Sequence, residues 1–487
     1  MRDVIIAGAG PTGIMLACEL RLQGVDVLVV DRQMAPTGIA RAQGLHARSI
    51  EILEQRGMAG PLLEQGTKHP LGGFFAGIIK DAPTGLDTSH PYVLGIPQTV
   101  TERILLQRAM ELGVDLRRGR EVTALSQDAG SVTVDLAADG GMAGERLHSR
   151  YLAGCDGGRS TVRKLLGIGF PGEASRQEWL LGQVELAAAQ ETVMDTVAKV
   201  RRTHKDFGAV PLGNGLFSIV APADGVAEQR DAPPTLTELR QQVKALAGTD
   251  FGAHSPRWIS RFGDATRLAE RYRLGRVFLA GDAAHVHPPF GGQGLNLGLQ
   301  DAFNLGWKLA AEVRGRAPEG LLDSYDSERR PVAADVLQNT RAQSELTRVE
   351  PGPQAVRRLL MELMDFNEVN RYLIEKIIAT AVRYNVGGDA GGDPLLGRRM
   401  PDLALTSGTL YGCMGRGRGV LVDRTGTYSA AGWEDRVDTV SDPGAAMALP
   451  AVLLRPDGHV VWTAGGGTPL SGSLRQWFGP AAAPPGQ

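Results

Sequence analysis

The chain opens on a pattern that few folds accommodate. Val4-Ile5-Ile6-Ala7 is a short apolar run, and Gly8-Ala9-Gly10-Pro11-Thr12-Gly13 follows it at once. Such a run, bounded by glycine, reads as a strand buried on both faces. Ile14 to Leu22 has helical spacing and ends at Gly24, and Val25 to Val30 reads as a second strand. The opening is therefore a βαβ unit. In that setting GxGxxG is a dinucleotide fingerprint. Its glycines let backbone approach a pyrophosphate, and the helix N-terminus supplies N–H donors and positive potential. Asp31, at the end of the second strand, stands where an acid for a ribose hydroxyl is expected, and Arg32 lies beside it. A plain glycine turn at a tight strand–helix junction is the alternative for the fingerprint alone.

Two later motifs repeat the logic of strand, acid and glycine turn. One is Tyr151-Leu152-Ala153-Gly154-Cys155-Asp156-Gly157-Gly158-Arg159-Ser160, with Arg163 a helical step further on. The other is Gly275-Arg276-Val277-Phe278-Leu279-Ala280-Gly281-Asp282-Ala283-Ala284-His285. Asp156 and Asp282 are each able to cap a turn before a helix. Occurring together behind a dinucleotide fingerprint, they favour ligand contact. His287-Pro288-Pro289-Phe290-Gly291-Gly292-Gln293-Gly294-Leu295-Asn296 then forms a rigid, open loop that feeds a helix near Gly294, whose N–H groups point at negative charge.

A chain of 487 residues has room for two to four domains. Its 43% apolar and 22% charged content is that of a globular protein, and a formal net charge of -2 argues against nucleic acid or a membrane surface as partner. Cys18, Cys155 and Cys413 are scattered and form no CxxC, so neither a disulfide framework nor a metal site is expected, and a reducing cytoplasm is the simplest location. No apolar stretch reaches membrane length.

Further along, residues 40–58 look helical and Gly72 to Pro97 loop-like. Thr101 to Leu112 reads as a helix, and Val114 to Arg118, Val132 to Leu136 and Tyr151 to Gly154 as strands. From 172 to 270 alternating segments such as Leu216 to Pro222 predict a mostly antiparallel insert. Arg276 to Ala280 returns to a buried strand, Gly294 to Val313 is a long helix, and 353–384 reads as another. A linker begins at Gly387, and a hairpin around Pro456-Asp457-Gly458 marks a small α/β unit. The tail from Gly479 has a disordered composition.

With these motifs in order, the chain resembles the class A flavoprotein monooxygenases, the FAD-dependent aromatic hydroxylases, over about residues 1–385. The resemblance implies an α/β fold in which a Rossmann-type FAD-binding domain (1–171 and 271–385) is interrupted by a β-sheet substrate-binding domain (172–270). It implies a thioredoxin-like C-terminal domain (395–478), with 479–487 as disordered tail. It assigns Asp156-Gly157 to FAD and the nicotinamide nucleotide, Gly281-Asp282 to the FAD ribityl and pyrophosphate, and Gln98 and Arg41 to the FAD chain. The loop residues Pro289, Gly291, Gly294, Leu295 and Asn296 meet the flavin. A reduced flavin is negative on its pyrimidine side, which suits a helix N-terminus. The segments Gly44 to Glu51, Gly73 to Gly77 and Asn296 to Lys308 resemble the subgroup acting on rifamycins, tetracyclines and aromatic polyketides. Two departures are Asp31, where glutamate is usual, and Phe290, where a smaller residue is common.

The activity so implied is NADPH- or NADH-dependent insertion of one atom of O2 into a large aromatic or polyketide substrate through a C4a-hydroperoxyflavin. One βαβ fingerprint means that the nicotinamide binds without a Rossmann domain of its own. Phe74, Phe75 and Phe290 are candidate apolar substrate walls, with core packing the alternative for the first two. Arg201 and Arg202 could meet an anionic substrate or simply be solvated. No catalytic acid or base is assigned, and the protein is expected as monomer or homodimer. The competing readings are a flavin dehydrogenase or reductase that does not use oxygen, and a ligand-binding protein with structural FAD.

Overall fold

The computed structural model describes residues 1–138, 144–227, 232–387 and 393–482. At its centre lie five parallel strands in the spatial order Val277–Leu279, Glu145–Gly154, Arg2–Ala7, Val27–Asp31, Asp115–Arg118. Val4, Ile5 and Ile6 are completely buried. Both faces of the sheet are covered, which is why these strands show unbroken apolar runs rather than alternation. The register matters most. Ala7 lies opposite Val30 and Gly154, and Gly154 opposite Leu279. The carboxyl ends of the strands therefore coincide, and the turns after Ala7, Gly154 and Leu279 emerge side by side.

The insert is a second sheet, antiparallel throughout, in the order Gly208–Gly213, Leu216–Pro222, Glu178–Leu186, Ala253–Gly263. One face is closed by the helices Gln190–Val200 and Leu236–Ala247 through Leu180, Val184, Val193, Val197, Leu239 and Val243. A small sheet of Gly172–Glu173, Thr266–Leu268 and His285–Val286 ties the insert to the central sheet.

Two helix expectations need correction. Only Ala47–Glu54 is helical within 40–58, because Gly44–Leu45 pairs as a strand with Tyr92–Gly95. The helix read at 353–384 is two, Pro351–Leu363 and Asn367–Ile378. Met364 turns into an apolar cluster with Phe75 and Leu346, and Phe366 is extended, so the helix cannot run through. A helix at Asp323–Thr347 escaped the sequence reading because Pro331 sits inside it.

C-terminally, strands Val437–Ser441, Gly419–Asp423, Ala451–Leu454 and Val460–Thr463 form a mixed sheet, the last two being the expected hairpin. Residues 479–482 are not loose. Trp433 Nε1 donates to the Gly479 carbonyl at 2.9 Å and Ala482 N to that of Gly432 at 2.7 Å. The rest of the expected tail, 483–487, and most of the expected linker, 388–392, lie outside the described residues.

The hairpin tip plugs into the side of the long helix Gln293–Val313. Arg455 donates to both Glu328 oxygens at 2.6 and 3.0 Å and to Asp457 at 2.6 Å, and Lys308 and Asn304 donate to Glu328 at 2.8 and 2.7 Å. Arg56 adds a forked pair to Glu19 at 2.8 and 2.9 Å and reaches the Pro456 carbonyl. All of these side chains are buried.

Candidate functional site

The turns after Ala7, Asp31 and Gly154 enclose a cleft of about 370 Å³ at the carboxyl edge of the central sheet, and Gly281 and Asp282 in the turn after Leu279 are outside its lining. Ligands of open α/β sheets bind at this edge. Gly8, Gly10, Pro11, Asp31, Arg32, Arg41, Gln98, Asp156 and Gly157 all line it. Thr12 and Gly13 stand directly behind. A Cβ on Gly13 would lie 2.0 Å from the Gly8 carbonyl oxygen, so that glycine serves close packing. Gly10 differs: a Cβ there would meet nothing within 4 Å. The space it leaves belongs to the cleft.

The helix Pro11–Leu22 begins at Gly10 with no side-chain cap and no acid in its first turn. The long helix begins at Gly292 in the same way. By contrast, the helix Leu236–Ala247 in the insert carries a complete capping box of Thr235 and Glu238. The two motif helices thus leave their N–H groups and positive ends for a bound anion.

The acids have double duties. Asp31 accepts from Ala9 N at 2.6 Å and Gln33 N at 2.7 Å, which holds the fingerprint turn. A carboxylate with two such partners still has lone pairs for a ribose. Asp156 Oδ2 accepts from Val162 N at 3.0 Å, a helix cap, whereas its Oδ1 is buried without a partner. Asp282 stands deep among protein atoms yet faces open space. That setting raises its carboxyl pKa, and His285 and Arg41 oppose the rise. Gln98 Oε1 accepts from Ala42 N at 3.1 Å and its Nε2 donates to Glu102 at 2.7 Å, so it braces the segment carrying Arg41. Uncapped helix ends and an open Gly10 fit the diphosphate of a dinucleotide, and the partnerless Asp156 oxygen fits one of its hydroxyl or N–H donors.

Pro289 and Gly291 on the neighbouring loop, and Gly294, Leu295 and Asn296 in the first turn of the long helix, are outside the lining of this cleft. Gly291 and Gly292 adopt φ of 70° and 65°, which opens the turn before the long helix. Asn296 accepts from His46 N at 2.9 Å and donates to the carbonyls of Gly292 at 2.9 Å and Gly44 at 3.3 Å. It is buried, and its side chain braces the loop. Burial pushes His46 and His287 down to about 4. His287 Nδ1 donates to the Pro288 carbonyl at 2.8 Å, and its Nε2 is covered and partnerless.

Of the expected substrate walls, Phe75 is a correction: it is buried in an apolar cluster with Ile78, Leu346, Met364 and Ile377. Phe74 packs against the same cluster, while Phe290 is half-buried in the loop itself. Arg201 and Arg202 are exposed. Sequence reasoning missed the open face of the insert sheet. Trp179 and Phe262 lie opposite each other and stack at 5.7 Å between ring centres, and Leu181 and Trp258 continue that half-buried face. The period-two alternation of Glu178 to Leu186 carried the signal, since Trp179, Leu181, Gln183 and Glu185 share one side. Arg120, Arg159 and Thr161 in the cleft wall were also missed, although Arg159 sits inside a motif already read.

Comparison with known proteins agrees with this geometry. Residues 1–340 match the family described as FAD binding domain, and 393–481 the one described as aromatic-ring hydroxylase, C-terminal. The chain is 61% identical over 483 residues to a rifampicin monooxygenase of Streptomyces venezuelae, covering 99% of this chain and 100% of that one. It is 46% identical to the 12-dehydrotetracycline 5-monooxygenase/anhydrotetracycline 6-monooxygenase of Streptomyces rimosus, covering 99% of each. Among solved structures, the OxyS anhydrotetracycline hydroxylase from Streptomyces rimosus superposes with a TM-score of 0.89 at 46% identity, over 99% of this chain and 100% of that one.

Proposed function

Because the chain belongs to the FAD-binding family of aromatic-ring hydroxylases and is an FAD-dependent monooxygenase, we propose that it hydroxylates a large ring-bearing antibiotic of the rifamycin type at the expense of NADPH or NADH. The observation that carries the substrate class is the 61% identity to a rifampicin monooxygenase along the whole chain.

In this reading Gly8, Gly10 and the N–H groups of the helix from Pro11 take the FAD pyrophosphate. Asp31 accepts from the ribose, and Arg41 and Asp282 bracket the linking chain. Asp156 supplies its partnerless oxygen. When bound, FAD supplies the chemistry: it is reduced by the nicotinamide and activates O2, one atom of which goes to the substrate ring and the other to water. The chain's own part is placement. The uncapped start of the long helix would stabilise negative charge on a flavin ring held at this loop. Phe290 and the Trp179–Phe262 face exclude water and present apolar surface to a flat substrate. His46 and His287 stay neutral beside the loop and so add no positive charge to that of the helix start. The C-terminal region is read as a thioredoxin-like appendage without redox exchange, since Cys413 is its one cysteine.

The test is product mass after the purified yellow protein meets NADPH, air and rifampicin. A gain of one oxygen atom is expected. NADPH consumption with peroxide and unchanged rifampicin would move the substrate to another polyketide ring. No helix among the described residues is long and apolar enough to cross a membrane.

A further inference from the structure

Asp301, on the long helix, touches no part of the cleft, yet three groups converge on its completely buried carboxylate. Gly281 N donates to Oδ2 at 3.1 Å, His285 Nε2 lies 2.7 Å from the same oxygen, and Arg329 Nε donates to Oδ1 at 2.8 Å. Arg329 is itself fixed by the Tyr384 hydroxyl at 2.9 Å. Gly281 has no freedom to drift. Its φ is +62°, and a Cβ there would stand 2.7 Å from Thr12 Oγ1 in the fingerprint. A Cβ on Gly298, one helical turn before Asp301, would stand 2.4 Å from the same oxygen. The Gly281-Asp282 turn is thus pressed against the fingerprint on one side and hydrogen-bonded to Asp301 on the other. Neither contact is made by Asp282, whose carboxylate is left facing open space.

We propose that Asp301 is a positioning residue: by holding Gly281 N and His285 together it fixes where Asp282 meets the FAD chain. The inference rests on the reading that Asp282 contacts FAD. Arg329 supplies the buried counter-charge, and His285 the second anchor on the far side of Asp282. An aspartate suits the post because one of its oxygens accepts two donors while the other accepts a third. Burial alone would push its carboxyl pKa up, but Arg329 and His285 more than offset this and hold it below the ordinary value. It therefore stays ionised and remains an acceptor for all three.

The test is a double-mutant cycle read as FAD affinity in reconstituted apoprotein, together with the visible spectrum of the bound flavin. Asp301→Asn is expected to weaken FAD binding about tenfold, the size of one lost charge-assisted hydrogen bond. It is also expected to shift the spectrum in the direction that Asp282→Ala shifts it. In the Asp282→Ala background the further loss on adding Asp301→Asn should be under about twofold, because its route of action is gone. His285→Leu, which keeps the Asp301–Arg329 pair, should show the same non-additivity with a smaller effect, and serves if Asp301→Asn does not fold. Fully additive losses with an unshifted spectrum would overturn the inference and leave Asp301 a stability residue. Full FAD retention in Asp282→Ala alone would overturn the reading of Asp282 instead, so the two failures are distinguishable.

Discussion

Two regions of this molecule treat charge in opposite ways, and the same long helix takes part in both. At its start and along the cleft, positive helix ends are uncapped, a carboxylate oxygen of Asp156 has no partner, and Gly10 faces empty space. Further along its side, where the C-terminal hairpin plugs in, Arg455, Asp457, Glu328 and Lys308 pair with one another, buried from solvent. A seam between parts of one chain can supply both partners of every ion pair. A cofactor site must leave half of its partners out. Unpartnered charge at the end of a parallel sheet therefore points to a ligand, and mutually paired charge to a joint.

The largest effect expected from breaking that contrast lies in the seam. Glu328→Gln leaves Arg455 and Lys308 buried with half their counter-charge, and should cost about 3–5 kcal/mol in denaturant unfolding. FAD bound per folded molecule should hardly change; a loss of FAD affinity as large as the loss of stability would mean that the two regions are not separate.

Gly10→Ala should act the other way round. Its φ of -75° suits any residue and its Cβ meets no protein atom, so apoprotein stability should stay within about 0.5 kcal/mol. FAD affinity should fall by about 10- to 100-fold, the cost of overpacking a bound surface. Gly13→Ala, whose Cβ collides with the Gly8 carbonyl, should lower both, and parallel melts of the two variants tell them apart.

Acidification reaches both regions. Burial holds His46 and His287 at the loop, and His459 in the seam, down to about 4. Between pH 6.5 and 4 the unfolded chain binds the protons that these folded histidines refuse. Their contribution is present above about 6.5 and lost as pH falls towards 4. Glu328 is also buried, but Arg455 and Lys308 hold it at about 2, so its contribution outlasts theirs and goes only between about 4.5 and 2. Melting temperature should decline across the first window; a flat profile there would place these rings in solvent.

The smallest effect should come from the open face of the insert sheet. Trp179→Ala removes the stack with Phe262 and should raise substrate KM by about 2- to 10-fold with FAD content unchanged. Phe290→Ala should alter substrate preference more than FAD retention, measured by parallel turnover of two ring systems.

The central sheet was legible because strands buried on both faces write unbroken apolar runs, and glycine marks their ends. The cleft was legible because backbone approach demands glycine at particular places, and Gly8, Gly10, Asp31, Arg41, Gln98, Asp156 and Gly157 come together there. What could not be read depends on packing between distant segments. Asn296 lies in a motif, but its carboxamide is used up by Gly44, His46 and Gly292. Phe75 is apolar in sequence whether it lines a pocket or fills a core. Asp301 resembles any helical acid until Gly281, His285 and Arg329 close around it.

The hairpin tip also has a consequence in time. Arg455 and Asp457 leave the ribosome about 130 to 150 residues after Glu328 and Asn304, whose cluster they complete, tens of seconds at the slow end of synthesis rates. Through that interval the long helix holds an incomplete charge cluster, and its outer face has no lid. The nucleotide-binding half thus precedes the segment that closes its flank, and a nascent chain halted before the hairpin exposes the flank that the hairpin covers.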